Sequence, residues 1–88
     1  MSPFQSGSAW AMTRDIAHGH LLVTDRTLRR LTRGEVDKLA FELDRFTREL
    51  RGEPPPGDDT VRLRDRNQKI LRLTRVSRMI QMLRMERA

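Results

Sequence analysis

Between Val36 and Leu50 the apolar residues Val36, Leu39, Leu43, Phe46 and Leu50 recur at intervals of three and four, with charged residues filling most of the gaps. That spacing puts them on one narrow stripe of an α-helix, made to lie against another helix. The start of this helix is marked by Thr32-Arg33-Gly34-Glu35. Here the threonine hydroxyl can accept from the Glu35 backbone N–H while the Glu35 carboxylate accepts from that of Thr32, and Leu31 and Val36 fall where a hydrophobic staple would close. The pattern predicts a helix over about 33–51, ended by Gly52 and by Pro54, Pro55 and Pro56.

Asp58 or Asp59 is placed to cap a second, longer helix over about 59–87. Its expected packing stripe is Leu63, Asn67, Ile70, Leu73, Thr74, Ser77 and Ile80. Asn67, with Arg66 beside it, interrupts the stripe, and a polar residue there can set register or oligomeric state. If the two helices close symmetrically about the prolines, Leu50 meets Leu63, Leu43 meets Ile70, Leu39 meets Leu73 and Val36 meets Ser77. The second helix then overhangs the first by about ten residues, roughly 15 Å.

Upstream the pattern weakens. Residues 1–12 carry serine, glycine and proline without apolar periodicity and read as a flexible arm, with Phe4 and Trp10 as its only anchors. Residues 13–88 form the single expected domain, in which Thr13 to Val23 is ordered but irregular, broken by Gly19. Thr24 then caps a short helical turn over about 25–31, with Asp25 in its first turn. The expected fold class is therefore all-α: an antiparallel helical hairpin with a short preceding turn.

Length changes this picture. A chain of 88 residues without cysteine buries too little surface to be stable without help, and self-association is the help still open to it. A homodimer forming a four-helix bundle covers the stripes and the overhang together. In the overhang, Met79, Ile80, Met82, Leu83 and Met85 spread around most of the helix, and methionine recurs at adaptable binding surfaces. With Leu28 and Leu31 of the preceding turn they form the expected protein interface. The alternative is that residues 13–31 fold over the overhang within one chain.

Charge points to the same helix. Residues 1–58 carry nine basic and nine acidic side chains, whereas residues 59–88 carry nine basic against three acidic, which accounts for the whole net charge of +6. Arg64, Arg72, Arg75 and Arg78 share one flank and are the expected phosphate-binding residues if the partner is nucleic acid or another polyanion. Otherwise the flank is solvated or answered by Glu42, Asp44 and Glu49. Phe41 stands off the first helix among charged neighbours, as a second contact site or a dock for Trp10 or Phe4.

The remaining chemistry is sparse. His18-Gly19-His20 offers two ligands with no cysteine, too few for a structural zinc site, so no metal or cofactor is expected. There is no cysteine or tyrosine, no glycine-rich phosphate loop and no serine in a nucleophile motif, so no catalytic residue is named. No apolar run approaches a membrane span, and no signal peptide is evident, which places the chain in the cytoplasm. The expected function is a non-enzymatic, self-associating binding or assembly module that works through the Met-rich end of its last helix. The alternatives are non-specific nucleic-acid binding by the arginine flank, or a small accessory subunit held by a larger protein.

Overall fold

A computed structural model describes residues 4, 6–52, 57 and 59–87. Among the described residues the chain is all-helical, with four helices: α1 (Ala9–Ala17), α2 (Asp25–Arg29), α3 (Arg33–Gly52) and α4 (Thr60–Arg87). Among the described residues there is no strand, and no helix is long and apolar enough to cross a membrane. The proline turn at 54–56, residues 1–3 of the arm and the alternative cap Asp58 lie outside the described residues.

Helix α3 follows its sequence pattern. The Glu35 carboxylate accepts from the Thr32 N–H at 2.6 Å and the Thr32 hydroxyl from the Glu35 N–H at 3.2 Å, so the capping box is closed. Leu31 and Val36 are both buried beside it. Val36, Leu39, Leu43 and Leu50 are buried along the stripe, and Phe46 packs against the same core. Thr24 caps α2 by accepting from the Thr27 N–H, and Asp59 accepts from the Arg62 N–H at the start of α4.

Helix α1 is a departure, because it covers Ala9–Ala17 and so runs across both the expected arm and the expected irregular segment. Ser8 caps its start by accepting from the Ala11 N–H at 3.0 Å. Its end is a left-handed glycine cap: Gly19 has φ +76°, the Gly19 N–H donates to Ile16 O, and the His20 N–H donates to Asp15 O. The buried face is Met12, Thr13, Ile16 and Ala17, with Ala9 packed against the core one turn earlier. Small residues make that face hard to see as hydrophobic, yet they allow close approach, and α1 packs on both α3 and α4. Thr13 stays in register by donating its hydroxyl to Ala9 O at 2.8 Å. Phe4, further up the arm, is also buried.

The register of α3 against α4 also differs from symmetric closure. Arg66 Nε donates to Leu50 O at 2.7 Å at one end of the pair, and Arg84 pairs with Asp37 at the other. Val36 therefore lies near Leu83, not Ser77, and lines a groove with it. The shift of six residues along α4 is about 9 Å. The buried face of α4 is Leu73, Val76, Ile80 and Leu83. The expected stripe would have buried Asn67, Thr74 and Ser77 in place of Val76 and Leu83, and apolar burial favours the observed face. The overhang moves with the register. Residues 60–65 are all exposed, Val61 and Leu63 included, so the unpaired end of α4 is the proline end.

Two arginines of α4 lock this arrangement by closing the C-termini of other helices. Arg66 donates to Leu50 O and Arg51 O at the end of α3, and Arg72 donates to Ala17 O at 3.0 Å at the end of α1. Each answers carbonyls that lack an intrahelical partner and sits at the negative end of a helix dipole. The Arg72 guanidinium passes directly over Gly19, where an added Cβ would lie 3.0 Å from its Cζ. Gly19→Ala is therefore expected to cost about 1–2 kcal/mol, through the positive φ and through displacement of Arg72. Urea denaturation followed by circular dichroism measures that loss.

Candidate interaction surface

The residues expected to contact a partner divide into two sets. Leu28, Leu31, Ile80 and Leu83 are buried in the chain's own core, and Met79 is half-buried against it. Met82 and Met85 face outward, 72% and 78% exposed. The Met-rich end is thus covered from within: Val36 at the start of α3 lies near Leu83, Asp37 pairs with Arg84, and the Arg29 guanidinium bonds Asp25 at 2.6 Å and Glu86 at 2.7 Å, tying α2 to the last turn of α4. The hydrogen bond that Arg29 donates to Asp25, then that to Glu86, raises the Arg29 pKa above its ordinary value.

The arginine flank divides in the same way. Arg72 is half-buried in its bonds to Ala17 O and to the Gln68 side chain, and is not free for phosphate. Arg64, Arg75 and Arg78 are exposed. Among the described residues none of the three forms an ion pair, whereas Arg62, Lys69 and Arg84 are paired with Asp59, Asp65 and Asp37. Glu42 and Asp44, the expected counter-charges on α3, pair with Arg45 and Arg48 of their own helix.

What remains forms one line. Leu71, Arg75, Arg78, Met82 and Met85 follow one another at intervals of four and three residues, with Arg64 one heptad before Leu71. On an α-helix such positions share a face, and here that face is the one turned away from Leu73, Val76, Ile80 and Leu83. Leu71, 70% exposed, belongs to this line although the sequence pattern does not single it out. The heptad spacing was the available signal, but it competes with the core stripe of the same helix until burial shows which is which.

The other marked residues lie elsewhere. Phe41 is exposed on α3 and lines a shallow hollow with Ala9 and Lys38, while Trp10 stacks under the Arg14 guanidinium at 4.9 Å. His18 and His20 stack on each other just past α1 with centroids 5.9 Å apart. Among the described residues no group of three His, Cys, Asp or Glu side chains could hold a metal ion. Asn67 is exposed beside the outward line. An open groove of about 630 Å³ lies between the start of α3 and the end of α4, lined by Arg33, Val36, Asp37, Leu83, Arg84 and Arg87. Its floor is nearly closed, with Val36 and Leu83 2% and 3% exposed, and its acid and Arg84 answer each other. No protein-family model, curated protein or solved structure matches this chain, so the outward line of α4 has only its own chemistry to characterise it.

Proposed function

We propose that this chain is a non-enzymatic binding module of the cytoplasm: an α3–α4 hairpin clasped by α1 and α2, presenting the outward line of α4 to a different protein. The observation that carries this reading is the alignment of three exposed apolar side chains, Leu71, Met82 and Met85, with three arginines that have no acidic partner among the described residues. Patches that combine apolar side chains with arginine are the usual composition of protein contact surfaces. Self-association along the line is disfavoured by charge. Antiparallel pairing that sets Leu71 against Met82 of the second copy also sets Arg75 against Arg78, and parallel pairing sets each against itself.

A photo-crosslinking side chain at Met82 or Leu71 tests this in the cells that make the protein, with Arg48 on the outer side of α3 as the control position. Met82 and Leu71 are expected to give a discrete adduct heavier than two copies of the chain, and Arg48 none. An adduct of two copies favours self-association, and adducts from Arg48 alone contradict the proposed surface.

The net charge of +6, with Arg64, Arg75 and Arg78 open on one helix, favours a second reading, non-specific contact with nucleic acid. Three phosphate contacts would give an affinity falling by about 2–3 log units per log unit of salt. The exposed leucine and methionines have no role in that reading.

A further inference from the structure

We propose that the partner of this face is an acidic amphipathic helix, whose apolar residues bracket a central pair of carboxylates. The inference rests on the reading that the outward line of α4 is the working surface, and it specifies what fits there.

The shape is that of a helix seam. From Arg64 to Met85 the line runs about 30 Å along one helix. Its intervals of four and three are those by which one helix receives the side chains of another. The order of residues then sets the complement. Leu71 lies at one end and Met82 and Met85 at the other, all exposed, with Arg75 and Arg78 between them. A matching helix needs apolar side chains at both ends of the contact and acids in the middle, with a further acid for Arg64.

The outward line of α4 differs from the outer side of α3 in how its charge is met. Midway along α3, Glu42 pairs with Arg45 and Asp44 with Arg48, so cations there are met within the helix. The outward line of α4 is instead bordered by Asn67, Gln68, Thr74 and Gln81, neutral side chains that leave its arginines uncompensated. The other acids of α4 are occupied: Asp65 pairs with Lys69, and Glu86 with Arg29. Negative charge for Arg64, Arg75 and Arg78 must come from outside. A nucleic acid would supply charge and leave Leu71, Met82 and Met85 in water, whereas an acidic helix uses both components.

The test titrates the full chain with a synthetic helical peptide of about 21 residues, with leucines at heptad spacing at both ends and glutamates at the central seam positions. A peptide of the same composition, shuffled to scatter its leucines around the helix, and a 20-base-pair DNA duplex are titrated in parallel. Two variants, Arg75→Glu/Arg78→Glu and Met82→Ser/Met85→Ser, are compared with the unaltered chain. All four positions are exposed, so circular dichroism is expected to show both variants folded. The patterned peptide is expected to bind at least tenfold more tightly than the shuffled one, and each variant to lose about tenfold. Equal binding of the two peptides, tighter binding of the duplex, or no binding of the patterned peptide overturns the acidic-helix partner and leaves the surface itself standing. Binding of the patterned peptide that survives both variants contradicts the surface.

Discussion

Changing Leu83 to serine is expected to cost the fold about 3 kcal/mol or more, while the same change one residue earlier, at Met82, costs less than about 0.5 kcal/mol. Leu83 is 3% exposed and belongs to the cluster that also holds Ile80, Leu28 and Leu31. Serine there leaves a cavity and places a hydroxyl among apolar side chains, and both effects destabilise. Met82 is 72% exposed and contributes nothing to that core. If the Met-rich end were an interface between copies, both changes would dissociate an assembly and leave each chain intact. Thermal unfolding at two protein concentrations separates the outcomes. The Leu83 variant is expected to melt about 12 °C or more lower at either concentration, at roughly 4 °C or more per kcal/mol for a domain of this size.

The second large effect is expected at Met12→Ala, with a loss of about 2–4 kcal/mol. Met12 is 1% exposed at the centre of the buried face of α1, next to Ile16 and Ala17. Were residues 1–12 a detached arm, this substitution would be silent. Urea unfolding of the variant measures the loss directly, and a midpoint unchanged from the parent chain would show that α1 does not hold the fold together.

These two positions also show where the sequence was legible. Helix α3 announced itself because its signals agree: a closed capping box, a staple and a strict stripe from Val36 to Leu50 all give the same start and the same face. Helix α1 was hidden because its buried face includes Thr13 and Ala17, which do not register as hydrophobic, and because Gly19 reads equally as a break or as a cap. Only the left-handed φ of Gly19, with Arg72 lying over it, decides for the cap. Helix α4 is plain in the sequence as a helix, but its buried face is not. It carries apolar residues on two sides, Leu73–Val76–Ile80–Leu83 inward and Leu71–Met82–Met85 outward. Periodicity alone cannot rank two stripes when the choice depends on what packs against them.

The candidate surface was legible in the same partial way. Met82, Met85, Arg64, Arg75 and Arg78 were all marked from the sequence, and all are exposed. Arg72 was marked with them because the helical wheel gives it nearly the same direction, yet a rotation of about 60° from Arg75 is enough to bring it onto the C-terminus of α1. Leu28, Leu31, Ile80 and Leu83 were marked on the supposition that the end of α4 lacked cover. The cover is the start of α3, which the register shift brings beside Leu83 and Arg84, together with α2, tied to Glu86 through Arg29. Burial within one chain, the alternative the sequence left open, is what these four residues show.

The central claim is that one chain completes its own core and keeps the outward line of α4 for a different protein. Sedimentation equilibrium of the full chain between about 1 and 100 μM, with circular dichroism at each concentration, tests it most directly. A single 10.3 kDa species with constant helix content is expected across the range. A species of twice that mass whose helix content falls on dilution would contradict the claim, and would make the second copy part of the fold.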